Sequence, residues 1–332
     1  MIIFYLYKRK NILYNIKKEK KEEVNKMFVS YNNGNYRVLL NLEDGTKIRY
    51  NQEDKLIPSR PESMDVKITN QCFHKCAFCH ENSTPQGSKA SFETMYYFAK
   101  NILPYTEIAV GGGNLLEDPE HTKFFLQELK KAKAIPSITV RQDDFIANLK
   151  LLSSWKEQGL IYGIGVSLSD SYNSDLITCL KLCPTAVLHV IAGIMNKNDY
   201  NNLKGHDLKI LILGYKTIRR GEIYIKNHFG RIMTNQTMLM SHFNDFTNDF
   251  NTVAFDNLAL EQLNIQDKMT KEEWDQYYCG DDGQYTFYVD LVEEKFARSS
   301  TNLNRIDIQM YTPQEMFNII RGIEVLKEIR ND

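Results

Sequence analysis

From Met64 onward the chain alternates short apolar runs with longer amphipathic stretches, and that rhythm predicts its architecture. Residues 65–69 (DVKIT), 106–110 (TEIAV), 137–141 (SITVR), 160–168 (LIYGIGVSL), 186–191 (AVLHVI) and 208–213 (LKILIL) read as strands. They are rich in Ile, Val and Leu, as strands covered on both faces are. The stretches between carry helix signals. Ser91 caps a helix through Leu103 that Pro104 ends, and Asp118 with Pro119 opens one reaching about Lys133. A third helix runs from about Asp144 to near Gly159, and a fourth spans residues 174–182. Six βα units in succession predict an α/β fold with a parallel sheet and right-handed crossovers.

The flanks follow other patterns. Residues 36–50 (YRVLLNLEDGTKIRY) alternate apolar and polar on both sides of Asp44-Gly45, a tight-turn pair, and predict a hairpin that caps one end of the βα succession. Pro58 and Pro61 make residues 56–62 an extended connector. After the sixth strand the regularity weakens. Residues 252–256 (TVAFD) and 285–292 (YTFYVDLV) read as further strands, and Thr312, Pro313 and Glu315 form the capping box of a final helix. The expected organisation is therefore a leader (1–26), a hairpin with its connector (27–63), the parallel βα unit (64–256) and an α+β extension (257–332).

Composition narrows the class without naming a function. With 332 residues, 42% of them hydrophobic, the chain can build a sizeable core. A net charge of −1 gives no argument for nucleic acid or an anionic membrane as partner. No run of 18 apolar residues exists, so no transmembrane helix is expected. Six cysteines without a secretory signal favour a reducing, cytoplasmic setting in which thiols remain available to a metal.

The candidate chemistry lies directly after the first strand, in residues 69–81 (TNQCFHKCAFCHE). Cys72, Cys76 and Cys79 are spaced so that their thiolates can converge on a soft metal centre. A structural zinc site closes with four ligands, often as two C-x-x-C pairs, and here there is only one such pair. Zinc would need His74 or His80 as the fourth ligand. An iron–sulfur cluster on three cysteines leaves one iron open instead. Cysteines adjacent on a helix, Cys179 and Cys183, and the isolated Cys279 read as structural, although Cys279 would be a hydrogen-atom donor if it lay beside a radical.

C-x-x-x-C-x-x-C, with aromatic Phe78 before the last cysteine, resembles the signature of the radical S-adenosylmethionine (radical SAM) family. The resemblance covers about residues 64–213 and implies a partial (β/α)6 TIM-like barrel. It implies that Cys72, Cys76 and Cys79 hold a [4Fe–4S] cluster whose open iron chelates the amino and carboxylate groups of SAM. Reductive cleavage of SAM would then give a 5′-deoxyadenosyl radical that abstracts hydrogen from a substrate. An electron donor such as flavodoxin or ferredoxin is implied with it. The substrate stays open among small molecules, nucleotides and peptides, since fold does not fix it.

Further candidates sit where strands end, the rim at which such folds gather their chemistry. Gly111, Gly112, Gly113 and Asn114 follow the second strand, where the family places a glycine-rich motif that offers main-chain groups to the SAM amino group; the family form ends in Glu, so Asn114 departs from it. Arg141 and Gln142 end the third strand and are candidates for the SAM carboxylate or the substrate. Ser167 and Ser169 end the fourth, where the resemblance implies contacts to ribose. His189, within the fifth strand, reads as a core histidine. Lys216 follows the sixth strand and is a candidate for binding substrate, while His80 and Glu81, next to Cys79, are candidates for supporting the cysteines or touching substrate.

Residues 1–26 hold a short apolar run and then a Lys/Glu-rich tract that would stay solvated. Residues 20–24 (KKEEV) back-translate to a purine-rich tract resembling a bacterial ribosome-binding site, a short distance ahead of Met27. The stretch reads as a frayed leader or a surface helix, and a sharper hypothesis is that the native start is Met27. Sequencing the amino terminus of the native protein checks this, and a start at Met1 refutes it.

Overall fold

The computed structural model describes residues 4–7, 28–51, 55–309 and 311–323. Four strands come first: β1 (Phe4–Tyr7), β2 (Phe28–Asn33), β3 (Tyr36–Asn41) and β4 (Lys47–Tyr50). The six strands of the predicted succession follow as β5 (Ser63–Thr69), β6 (Glu107–Gly112), β7 (Ile135–Arg141), β8 (Gly163–Ser167), β9 (Ala186–Ile191) and β10 (Lys209–Leu213). Then come β11 (Thr252–Phe255), β12 (Thr286–Asp290), β13 (Lys295–Ala297) and β14 (Ile306–Asp307). One sheet has the order β1-β11-β10-β9-β8-β7-β6-β5-β12-β13-β14, and β2-β3-β4 form a second. The parallel run is longer than the expected six strands, because β11 joins β10 and β12 joins the far side of β5, both in parallel.

The large sheet curls. Five strand steps separate β10 from β5, about 24 Å across a flat sheet with strands ~4.8 Å apart. Yet Lys216 Nζ, just past β10, lies 3.2 Å from the ring of His80, in the loop that follows β5. Alternation along each strand gives the curled sheet two different faces. Met64, Val66 and Ile68 of β5, Ile164 and Val166 of β8, Leu188 and Val190 of β9, and Phe287 and Val289 of β12 join one large core with the helices. The intervening residues, among them Asp65, Lys67, Gly165, His189, Tyr288 and Asp290, face the lumen.

Helices cover the outer face. Ser91, Asp118 and Thr312 each cap a helix as predicted, Thr312 within a capping box. The expected helix at 144–159 is two, Gln142–Ala147 and Leu149–Glu157, meeting at Asn148. The sequence pattern gave no sign of the longest helix, Arg220–Ser241. Its Ile223, Phe229 and Met233 are exposed and His228 breaks its helical geometry, so no clean apolar stripe marks it.

The hairpin expected at 36–50 pairs as β3 and β4, with β2 added on its other side. Residues 1–26 were expected to be a solvated leader. Phe4–Tyr7 form an antiparallel edge strand on β11. The Lys/Glu-rich remainder, including residues 20–24, lies outside the described residues.

The small sheet docks at the N-terminal ends of the barrel strands through Glu62, fully buried just before β5. Tyr36 Oη donates to Glu62 at 2.6 Å, Arg49 Nε and Nη2 donate at 2.8 and 3.0 Å, and Lys47 Nζ lies at 3.2 Å. Burial works to raise the pKa of this carboxyl, but Lys47 and Arg49 overcome it and hold the value at about 2. The ionised form therefore stabilises the fold above the ordinary value of 4.5 and loses that contribution as pH falls towards about 2. Glu62→Gln leaves Arg49 and Lys47 short of their counter-charge and is expected to cost about 3 kcal/mol at neutral pH. Denaturant unfolding measures this, and the acid loss between pH 4.5 and about 2 becomes shallower in the variant.

Inside the lumen, His189 lies against Gly165. A Cβ on Gly165 would stand 2.2 Å from the imidazole, so only glycine leaves the ring its place. Burial pushes the pKa of His189 down from 6.5 to about 4, and the ring is neutral at pH 7. An unfolded chain takes up a proton that the folded one refuses, so stability falls as pH drops from 6.5 towards about 4. Gly165→Ala is expected to cost about 1–3 kcal/mol by overpacking. Added to His189→Ala it should cost far less, and His189→Ala alone should flatten the pH dependence in that window; unfolding titrations of the three variants test both points.

Candidate functional site

Thr69 ends β5 and releases the chain into the cysteine loop, which returns at the helix Phe92–Lys100. Its first half is fixed by main chain. Asn70 N–H donates to Ser88 O at 2.8 Å and Cys72 N–H to Thr84 O at 2.9 Å. The glycine turn after β6 then bonds to the same segment: Gly113 N–H to Thr69 O and Asn114 N–H to Gln71 O, both 2.7 Å. A Cβ on Gly112 would fall 2.2 Å from Thr69 O, and one on Gly113 2.2 Å from Gln71 O. These glycines are therefore required for contact between the two loops. A Cβ on Gly111 would meet nothing within 4 Å, so of the three it alone borders open space.

Side chains, most of them cationic, add to the main-chain turns in the second half of the loop. Arg141 Nη1, at the end of β7, donates to Cys76 Sγ at 3.7 Å. Arg219 Nη1 donates to Glu81 O and Glu81 Oε2 at 3.1 and 3.2 Å. Arg220 Nη2 reaches Ser83 O at 2.5 Å, and Lys67 Nζ lies 3.0 Å from Glu81 Oε2. Burial works to raise the pKa of Glu81, but His80 and Lys67 hold the carboxyl well below the usual range. Burial, and then Lys216, push the pKa of His80 down, and its ring accepts from Lys216 Nζ. Lys216 Nζ also donates to Ser300 Oγ at 2.9 Å. No carboxylate among the described residues lies within ion-pair distance of this ammonium.

The remaining candidates divide. Phe78 packs edge-on against Tyr224, at 5.8 Å between centroids. Ser167 is half-buried on the lumen face of β8, in register with Arg141 and His189. Asn114 Nδ2 donates to Glu117 at 3.1 Å, and Glu117 accepts the N–H of Phe73, so this amide braces the loop from beneath. Gln142 is not turned towards the rim opening. It is fully buried; its Oε1 accepts the N–H groups of Ser169 and Asp170, and its Nε2 donates to Asp170 O. Its amide shapes the turn after β8. Ser169 Oγ likewise donates to Asp143 at 3.2 Å.

Cys279 is removed from the site. It packs with Tyr36, Val38 and Tyr285, and Arg49 donates to its carbonyl, which puts it beside the small sheet at the opposite end of the barrel. Cys183 is buried and Cys179 packs against the same core. The histidines of the zinc alternative are engaged elsewhere, His74 Nε2 with Asp144 at 2.5 Å and His80 with Lys216.

Sequence reasoning missed Lys67, Arg219, Arg220, Asp290 and Arg305. One signal was available: Lys67 is a lone cation in the middle of an apolar strand, and such a residue needs a buried partner. Its partner Asp290 is 223 positions away, and only the fold brings the two together.

Cys72, Cys76 and Cys79 are half-buried and none is in a disulfide. Among the described residues no three His, Cys, Asp or Glu side chains converge on a single ion. No helix among the described residues is long and apolar enough to cross a membrane.

No protein-family model matches this sequence, and no curated protein matches it either. Solved structures do. Streptococcus suis SuiB bound to S-adenosylmethionine aligns with a TM-score of 0.54 at 11% identity, covering 91% of each chain. SuiB bound to the precursor peptide SuiA aligns at 0.52 and 11%, covering 89% of this chain and 87% of that one. For anSMEcpe with bound AdoMet and the Cp18Cys peptide the values are 0.52 and 13%, covering 81% and 85%. The chain thus shares the fold of S-adenosylmethionine-bound proteins, a mixed α/β fold built on a large parallel sheet.

Proposed function

We propose that this protein is a radical SAM enzyme. The observation that carries the proposal is the loop of Cys72, Cys76 and Cys79 at the C-terminal end of a barrel strand, in a fold shared with S-adenosylmethionine-bound SuiB and anSMEcpe. The three thiolates would hold a [4Fe–4S] cluster, and Arg141 offsets the charge of Cys76. The cluster, when bound, supplies the electron that splits SAM into methionine and a 5′-deoxyadenosyl radical, which abstracts hydrogen from the substrate.

The protein's own residues bind and enclose. Gly111 leaves the rim open for the close approach of SAM, and Ser167 offers a hydroxyl from the lumen face of β8. Phe78 and Tyr224 form an apolar wall beside the cysteines. Lys216 has neutral acceptors and no carboxylate partner, which suits it to an anionic or carbonyl group of the substrate. The curled sheet and the small sheet at its far end limit the entry of water. Among the three substrate classes we favour a peptide, supported by the likeness to SuiB with SuiA and anSMEcpe with Cp18Cys. A flavodoxin or ferredoxin as electron donor and a cytoplasmic location belong to the same proposal.

Anaerobic reconstitution with iron and sulfide, followed by SAM and dithionite, is expected to give a brown protein that forms 5′-deoxyadenosine. Cys76→Ala should lose colour and product together. Retention of zinc, with no product from the unaltered protein, would overturn the assignment.

A further inference from the structure

Main-chain bonds tie the cysteine loop to the rim at Asn70–Cys72 and shape its turns from Cys76 to Thr84, and side-chain charge ties the stretch from Cys76 onward to the sheet. The charges behind its second half form a continuous series. Arg219 and Lys67 both contact Glu81 Oε2, at 3.2 and 3.0 Å. Lys67 Nζ also lies 3.1 Å from Asp290 Oδ2, and Arg305 Nη1 approaches the same oxygen at 3.1 Å. Asp290 Oδ1 meanwhile accepts the N–H groups of Val292 and Glu293. The series runs from the cysteine loop, across the lumen face of β5, to the C-terminal strand β12.

Its centre is dry. Lys67 is 2% exposed, Glu81 5% and Asp290 0%. Burying three charges costs several kcal/mol per ion before their attraction repays it, and apolar residues of similar volume often serve stability as well. What such a series gains is position, since each charge tolerates little displacement of the next. Lys67 stands opposite Asp290 in the β5–β12 register, so strand pairing fixes one end and Glu81 is the end left to be placed.

We propose that Lys67 is a positioning residue for the cysteine loop. It ties Glu81, and through it the turn in which Cys79 N–H bonds to Cys76 O, to β12. The C-terminal extension thereby helps to place the cysteine loop. The role of the loop as a cluster cradle rests on the function proposed above; the positioning of the loop by Lys67 does not.

The test begins with metal-free protein, using iodoacetamide and reading each cysteine separately by mass spectrometry. Loss of a charge-assisted contact should raise the alkylation rates of Cys76 and Cys79 about tenfold in Lys67→Met. Lys67→Arg should stay near the unaltered rate, and Cys183, buried in the core, should not change. Equal Cys76 and Cys79 rates in folded Lys67→Met and unaltered protein overturn the proposal. Should Cys183 speed up with them, Asp290→Asn decides, because it keeps the shape and the turn bonds while removing the charge. Faster Cys76 and Cys79 with Cys183 unchanged in that variant support positioning, and a uniform rise in all three overturns it. A second arm measures iron retained after reconstitution, expected to fall in Lys67→Met and recover in Lys67→Arg. If the unaltered protein retains no iron, the radical SAM assignment fails while the alkylation result still stands.

Discussion

Two loops meet at the C-terminal ends of neighbouring parallel strands, and the candidate site depends on how closely they do so. Gly113 and Asn114 give their N–H groups to Thr69 and Gln71, and the glycine turn comes so near that any side chain on Gly112 or Gly113 would collide with a carbonyl. Parallel pairing of β5 and β6 puts both loops on one rim. The main-chain bonds then set where the cysteine loop leaves the sheet. A side chain at either glycine would push the Thr69–Gln71 main chain, and with it Cys72, outward.

The lumen face of the barrel obeys a second constraint. A parallel sheet with one face under helices and the other turned inward must fill that inner face with something, and here much of the filling is ionic. Charge is matched locally: Glu62 with Lys47 and Arg49 at the closed end, and Lys67 with Glu81 and Asp290 near the rim. His189 shows the other solution, a polar ring kept neutral by burial and seated over a glycine. Lys216 departs from the matched pattern. Its ammonium hydrogen-bonds the neutral acceptors His80 and Ser300, while the carboxyls of Asp256 and Asp282 feel its charge without reaching ion-pair distance.

The sequence by itself determined the α/β class, six of the parallel strands, the main caps and the loop of three cysteines. These are legible because they are local: alternation of apolar runs, a Ser, Asp or Thr at a helix start, and three thiols within eight residues. Tertiary structure alone decided what the flanks do. Phe4–Tyr7 lie on β11, and β12 returns to pair with β5; nothing in either segment names its partner. It also decided the fate of individual candidates. Gln142 spends its amide on a turn, and Cys279 lies at the wrong end of the barrel. Lys67 gains its meaning from Asp290, 223 positions later. The physical reason is the same throughout: a residue's type fixes what it can bond to, but the curl of the sheet fixes what comes within reach.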